Sequence, residues 1–355
     1  MRTIAIVNQK GGCGKTTTAI NLSACLVSNN RKVLLIDLDP QAHASIGLGV
    51  KVEELKKSIY DVFTESNRRC VEDVIITIEQ NFDLVPSQLV LSAVEQELAG
   101  KVGRESILAR SIQEMERSYD YIIVDCPPNL GLLTFNVLRA CRETLIPIEM
   151  SIFSLQGVAR LIEIIEILTV EYGHEMRTKA LATICNPRTL FANELLKNIA
   201  QHFGKDVYKT IIHSTVKLKE AASYGLPVHK YDKRCRGTED YLALADEVVA
   251  EEERVDKIKI PVQLGPKQTK EGVLFRYYDP VARNVQLVGD FSNWEPIENI
   301  MVQEKENKIW EGTLSLKAGK YQYKLIVDGQ WKIDPYNPAL VTSTMGSNNL
   351  LVIVP

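Results

Sequence analysis

The stretch QKGGCGKTT, Gln9 to Thr17, constrains the fold of this chain more than any other. Gly11, Gly12 and Gly14 interrupt the β-prone apolar run RTIAIVN. Behind them KTTTAINLSACLVSN carries apolar residues at helical spacing, and KVLLIDLD follows as a second buried strand. A strand, a glycine loop, a helix and a strand in that order predict an α/β doubly wound domain of the P-loop NTPase type. Glycines let the backbone wrap closely around phosphates, and the helix N-terminus adds free N–H groups and a partial positive charge. Gly11, Gly12, Cys13, Gly14, Lys15, Thr16 and Thr17 form the expected nucleotide cradle, with Lys15 reaching the β- and γ-phosphates and the Thr16 hydroxyl on Mg²⁺. The loop departs from the usual pattern at its first position, where Gln9 replaces glycine, and it carries an additional lysine, Lys10.

Taken alone, this loop also reads as a glycine-rich turn with incidental lysines, and the acids that follow decide between the two. DLDPQ puts Asp37 and Asp39 at the carboxyl end of the second strand, the edge where open α/β sheets bind ligands. A later strand, YDYIIVDCPP, ends in Asp125, placed as the second acidic partner of a Mg²⁺ shell. Each aspartate by itself is an ordinary strand-end cap. Together with Lys15 and Thr16 they predict an ATP hydrolase that uses ATP and Mg²⁺.

At 355 residues the chain is too long for one ordinary domain. With 45% hydrophobic and 25% charged residues it reads as a soluble globular protein, and no apolar run reaches the ~18 residues needed to span a bilayer, so no membrane partner and a cytoplasmic location are expected. The amino-terminal run reads as a first strand rather than a targeting segment. Seven singly scattered cysteines without a CxxC pair argue against a disulfide framework or a zinc site, and for buried thiols in a reducing cytosol. A formal charge of −3 restricts any nucleic-acid contact to a local basic patch.

The segments KGGCGKTTTAINL, VLLIDLDPQ, YDYIIVDCPPNLG, LIPIEMSIFSLQGV and EAASYGLPVHKYD closely resemble the ParA/Soj-type partition ATPases, in the deviant Walker A group that includes MinD. The resemblance implies an ATP-dependent homodimer in which Lys10 crosses the interface to the partner subunit's phosphates. A donated lysine neutralises the repulsion between two triphosphates facing each other. It implies catalytic positions Lys10, Lys15 and Asp39, with Asp39 orienting the attacking water and Asp37 near Mg²⁺. Asn186 in TICNPR matches an adenine-contacting asparagine, although read alone it is equally a strand-end turn residue. Nothing in the loop supplies an arginine finger, so hydrolysis is expected to be slow and stimulated by a partner protein. His43 stands where the family carries asparagine, which predicts an altered rate rather than altered chemistry.

The same resemblance implies sequence-independent DNA binding, and with it association with the nucleoid, through Arg188 and Lys217. These occupy positions that carry arginines in the family, and Lys219, Lys230, Lys233, Arg234 and Arg236 enrich the region. Such attraction is salt-sensitive, and lysine keeps the charge of arginine while losing its bidentate geometry. A solvated mixed-charge face is the competing reading. No DNA-reading domain precedes the first strand, so sequence-specific repression is not expected. The spacing of Cys126 and Cys141 is unlike that of the electron-transfer ATPases that share the loop. A final strand, NNLLVIV, in place of an amphipathic helix disfavours membrane positioning of the MinD kind.

From Glu247 the composition turns to a charged helix end and a polar stretch with Pro261, Gly265 and Pro266, which reads as a linker. The expected division is an ATPase domain over 1–254, a linker over 255–271 and a second domain over 272–355. Beyond the linker, VLFRYYD, NVQLVGDF, IWEGTLSL, KYQYKLIVDG, WKIDPY and NNLLVIV alternate as strands between Asp-Pro, Gly and Asn turns, predicting a small all-β, immunoglobulin-like sandwich. Trp294 and Trp331 sit at strand ends, where an indole face suits the apolar face of a pyranose; packing over the core is the other reading. VQLVGDFSNW, KYQYKLIVDGQWKIDPYNP and TMGSNNLLVIV resemble the glycogen-binding module of the AMP-activated protein kinase β subunit and related modules of branching and debranching enzymes. By that resemblance Trp294, Lys324, Trp331 and Asn348 contact sugar, and Met345 stands where a leucine protrudes through the glucan helix. The loop before Asn348 is one residue shorter than in the kinase subunit. The two halves together predict an ATPase that partitions or positions a cargo, with glycogen or another α-glucan bound by the second half. The alternative is a protein-docking sandwich on an ATPase of chromosome or plasmid segregation.

Overall fold

In the computed structural model the chain forms two units, Met1–Glu252 and Glu253–Pro355. The structure describes residues 1–64, 70–150, 158, 160–165, 167, 176–186, 189–257, 264–269, 272–279, 282–297, 300–303, 309–337, 339–343 and 346–353.

The first unit is built on strands β1 (Arg2–Ile6), β2 (Val33–Asp37), β3 (Ile76–Glu79), β4 (Phe82–Val85), β5 (Tyr121–Asp125), β6 (Glu143–Glu149), β7 (Arg177–Cys185) and β8 (Val207–His213), with helix α1 (Lys15–Ser28) between β1 and β2. They form one sheet in the order β3-β4-β2-β5-β1-β6-β7-β8. Pairing is parallel except for β3, which runs antiparallel to β4. Continuous apolar strands are what a sheet covered on both faces demands. Within them, alternate residues feed two cores. Ala5, Leu34, Ile36, Ile122 and Val124 pack on one face, while Ile4, Ile6, Val33, Leu35 and Ile123 pack on the other. The winding reverses across β1, since β2 and β5 lie to one side of it and β6 to the other. A crevice therefore opens at the carboxyl end of β1, where the glycine loop begins.

The helix Arg236–Lys257 is fastened at the opposite edge, where the strands start. Glu251 takes hydrogen bonds from Arg2 (3.3 Å) and Arg177 (3.4 Å) and pairs with Lys179, which is 5% exposed. Arg2 also binds Glu143 at 2.6 Å and the carbonyl of Val248 at 2.7 Å. Removing one member of such a set strands a buried charge, which costs more than the pair contributes.

The second unit contains β9 (Gly265–Thr269), β10 (Gly272–Tyr278), β11 (Val285–Gly289), β12 (Val302–Gln303), β13 (Ile309–Leu314), β14 (Gly319–Val327), β15 (Gln330–Lys332), β16 (Leu340–Ser343) and β17 (Gly346–Ile353). One sheet runs β12-β13-β10-β9 and the other β11-β14-β17-β16, with β15 paired to β14. Phe275, Tyr277, Leu287, Trp310, Tyr323 and Leu325 fill the core, as a sandwich requires. The linker expected over 255–271 is shorter than its composition implied. The helix continues to Lys257, and β9 pairs with β10 from Gly272↔Thr269 to Arg276↔Gly265. Proline read there as linker punctuation, but Pro266 lies on an edge strand, where proline is tolerated.

Candidate nucleotide site and aromatic platform

The glycine loop is held open by its own backbone and by distant side chains. Gly12 and Gly14 adopt left-handed conformations, φ 76° and 91°, which a residue with a Cβ rarely takes. No side chain caps α1, and no acid lies in its first turn, so its leading N–H groups and positive end face the loop. Asn8 donates to the carbonyl of Pro147 at 2.7 Å and accepts from the Lys10 amide at 3.0 Å. Thr183, on β7, donates to the carbonyl of Cys13 at 2.8 Å. Burial pushes the Cys13 thiol up, which keeps it a protonated donor to the carbonyl of Lys10, 3.2 Å away. Lys15, 7% exposed, donates to that same carbonyl at 3.0 Å, and the Lys10 ammonium pairs with Glu149 at the end of β6.

Asp37 and Asp125 stand side by side in the register of β2 and β5, both fully buried. Asp37 accepts from the Ser45 hydroxyl at 2.7 Å, the Ser45 amide at 2.8 Å and the Asp39 amide at 3.2 Å. Burial outweighs these bonds and raises its carboxyl to about 6. Neither oxygen of Asp125 receives a hydrogen bond of ordinary geometry. Burial, then the neighbouring Asp37, drives its carboxyl well above the usual range, and the Thr16 hydroxyl and Lys15 offset only part of this. A buried carboxylate without a partner is costly, and a divalent cation beside the Thr16 hydroxyl removes that cost. The residues therefore fit Mg²⁺. Among the described residues no cluster of three His, Cys, Asp or Glu side chains could hold a metal. Phosphate oxygens and water must complete the shell, which is the usual manner of Mg²⁺.

Asp39 is 7% exposed, and its carboxylate accepts from the Gln41 amide at 2.9 Å. His43 is exposed and opens the short helix His43–Gly47 that presents Ser45. Asn186 is exposed just beyond β7, and its carbonyl accepts the Thr189 amide at 3.2 Å and the Thr189 hydroxyl at 3.1 Å. Its backbone thus makes the turn contacts of the plainer reading. Thr16 and Thr17 are half-buried in the first turn of α1. Ser45 and Thr183 were not singled out from the sequence. Neither belongs to a contiguous pattern, and each is brought in by the fold.

Of the basic residues, Arg188 lies outside the described residues. Lys217 lies in the first turn of the helix Val216–Ser223 and pairs with Glu220 at 2.8 Å. Lys230 pairs with Glu79, and Arg236 pairs with Glu239 and Asp240, each at 3.1 Å. Acids balance much of this face. Tyr224, 71% exposed, stacks on Tyr231 at 5.3 Å beside it.

In the second unit Tyr323, Leu325 and Val327 of β14 point into the core, which places Gln322, Lys324 and Ile326 on the outer face. Trp331 of β15 pairs with Ile326 and is 53% exposed. Trp294 is half-buried, and its indole lies 6.3 Å from that of Trp331 with the planes 29° apart. Asn348 donates to the Gln322 side chain at 2.9 Å, which brings it onto the same face. The tryptophan of the core is Trp310, so the core-packing reading of Trp294 and Trp331 fails. Met345 lies outside the described residues.

Comparison with known proteins agrees with both halves. Residues 1–178 match the AAA domain family, and residues 263–337 match carbohydrate-binding module 48, the isoamylase N-terminal domain. The chain is 38% identical over 248 residues to the sporulation initiation inhibitor protein Soj of Bacillus subtilis (strain 168), covering 70% of this chain and 98% of that protein. It is 37% identical over 250 residues to the chromosome partitioning protein ParA of Myxococcus xanthus (strain DK1622), covering 70% and 88%. Cobyrinic acid a,c-diamide synthase from Mycobacterium smegmatis, solved with a bound ATP analog and magnesium, superposes with a TM-score of 0.64 at 27% identity, covering 71% of this chain and 96% of that one. The chain belongs to the ParA/Soj family of P-loop ATPases, and in it a carbohydrate-binding module of family 48 follows the ATPase domain.

Proposed function

We propose that this protein is an ATP-driven positioning factor whose cargo is an α-glucan such as glycogen. The site takes ATP and Mg²⁺, and two copies close over the bound triphosphates. The observation that carries the nucleotide half is Asp125, buried beside Asp37 with no hydrogen bond of ordinary geometry and with its charge offset only in part by Thr16 and Lys15. Phosphates entering the loop meet the α1 N-terminus, and Lys15 exchanges the Lys10 carbonyl for the β- and γ-oxygens. Thr16, Asp37 and Asp125 would hold Mg²⁺, which supplies neutralisation of the charge that develops on the γ-phosphoryl group. Asp39 orients the attacking water. Lys10 leaves Glu149 for the partner subunit's phosphates, which makes closure depend on triphosphate. With no arginine in the loop, turnover stays slow until a partner protein stimulates it.

The stacked indole pair, with Trp331 exposed and Trp294 half-buried, supports the glucan half. Two faces inclined by 29° offer a bent surface, which follows a coiled α-linked chain better than a flat one. Lys324 and Asn348 supply hydrogen-bonding groups on the same face. Non-specific DNA is a further contact of this reading, through Lys217 and Arg188. The ion pairs on that face predict weak, salt-sensitive binding.

Glycogen co-sedimentation of the wild type, Trp331→Ala and Lys15→Ala tests the proposal. Retention by the wild type and Lys15→Ala but not by Trp331→Ala is expected without nucleotide. Absence of retention in every sample would overturn the cargo and leave a protein-docking sandwich on a segregation ATPase.

A further inference from the structure

The aromatic platform is held in a conformation its backbone resists. Asn293 and Trp294 both lie in the left-handed region, φ 52° and 64°, where a bulky side chain such as Trp294 is strained. Such a conformation persists only where the surroundings over-determine it. Here the Trp294 amide donates to the carbonyl of Gly289 at 2.9 Å, and the indole N–H donates to Asp290 Oδ1 at 3.1 Å. The other oxygen of that carboxylate accepts the Gln322 amide of β14 at 2.8 Å. One side chain thus ties the turn that carries Trp294 to the strand whose outer face carries Lys324. Beyond it, Gln322 Oε1 accepts from Asn348 at 2.9 Å and extends the same set of bonds to β17.

We propose that Asp290 is the positioning residue of the aromatic platform, and that Gln322 carries the same role to Asn348. The proposal rests on the reading of the second unit as a glucan anchor. Asp290 need not touch sugar, because both of its oxygens are already engaged within the module. Its role is to fix the inclination of the Trp294 indole against Trp331, so that two sugar rings are met without ordering either side chain at the moment of binding. Gln322 does the same for the carboxamide of Asn348, which swings freely without it.

The test uses the full chain with Asp290→Ala, Asp290→Asn and Gln322→Ala, glycogen binding as one readout and the circular-dichroism exciton couplet of the paired indoles as the other. Asp290→Ala is expected to abolish the couplet and weaken glycogen binding about ten-fold, the effect of losing charge-assisted bonds. Asp290→Asn keeps a carbonyl oxygen for one of the two donors and should restore most of both. Gln322→Ala should keep the couplet, since Asp290 bonds its backbone, and weaken glycogen binding a few-fold. If Asp290→Ala disrupts the sandwich itself, Asp290→Asn and Gln322→Ala decide the matter. An intact couplet in Asp290→Ala overturns the positioning role, and so does wild-type glycogen affinity without the couplet. A wild type that binds no glycogen overturns the glucan reading instead, while the couplet still reports whether Asp290 sets the indoles.

Discussion

At the scale of single residues, the chemistry of the nucleotide site is stored as electrostatic cost. Asp37 has an ordinary carboxyl value of 3.8 that burial raises to about 6, and Asp125 is displaced in the same direction. A raised carboxylate stabilises the fold fully below its unfolded value, and that stability is lost as pH rises through its folded value. The metal-free protein should therefore lose stability between pH ~4 and ~7, by roughly 3 kcal/mol from Asp37 alone. ATP with Mg²⁺ favours the ionised carboxylates, so its stabilisation should grow over the same range. Thermal melts at pH 5 and pH 7.5, with and without ATP and Mg²⁺, check this. Asp125→Asn should flatten the decline and remove most of the Mg²⁺-dependent gain, and an equal gain at both pH values would sink the assignment. These acids were legible in the sequence because each ends an apolar run beside a glycine loop. Ser45 and Thr183 were not, because Thr183 reaches the loop from a strand 170 residues further along the chain. No local pattern encodes such a contact.

At the scale of elements, legibility followed burial. β1, β2 and β5 are apolar along most of their length because the sheet packs against a core on each face, and their runs announced them. The edge strand β9 and the two-residue β12 gave no such signal, since an edge needs neither alternation nor length. One contact between elements was equally silent and carries a prediction. The helix His43–Gly47, which presents Ser45 to Asp37, runs into Gly49, and Gly225 follows the helix Val216–Ser223. A Cβ on Gly225 would stand 2.7 Å from the Gly49 Cα, and both glycines have positive φ, 68° and 79°. Gly225→Ala should therefore cost roughly 2–4 kcal/mol in urea denaturation of the nucleotide-free protein, from strain and overlap together. Gly11→Ala, where a Cβ meets nothing within 4 Å, should leave stability within about 0.5 kcal/mol. Equal losses in the two variants would mean that the two glycines do not need their close approach.

At the scale of the whole molecule, the placement of the last helix of the first unit bears on the proposed coupling of nucleotide to cargo. Glu251 holds that helix to Arg2 and Lys179 at the starts of β1 and β7, whereas the glycine loop, Asp37 and Asp125 lie at the strands' far ends. Closing two copies over their loops therefore makes no demand on the edge where the helix is fastened. On the function proposed above, a dimer closed by ATP would carry two glucan modules on one particle, and a branched glucan would offer many sites within reach of both. The second binding step becomes intramolecular, and its effective concentration can raise overall retention ~10²–10⁴-fold without any new contact. ATP should then tighten glycogen binding of the full chain by at least about ten-fold, while the affinity of each module stays unchanged. Lys10→Ala, which removes the lysine expected to bridge the copies, should bind glycogen as the nucleotide-free wild type does, whether or not ATP is present. Sedimentation with glycogen across a range of ATP concentrations reads both effects. Retention that ignores ATP in the wild type would mean that ATP does not bring two modules onto one glucan, and would sink the proposed coupling.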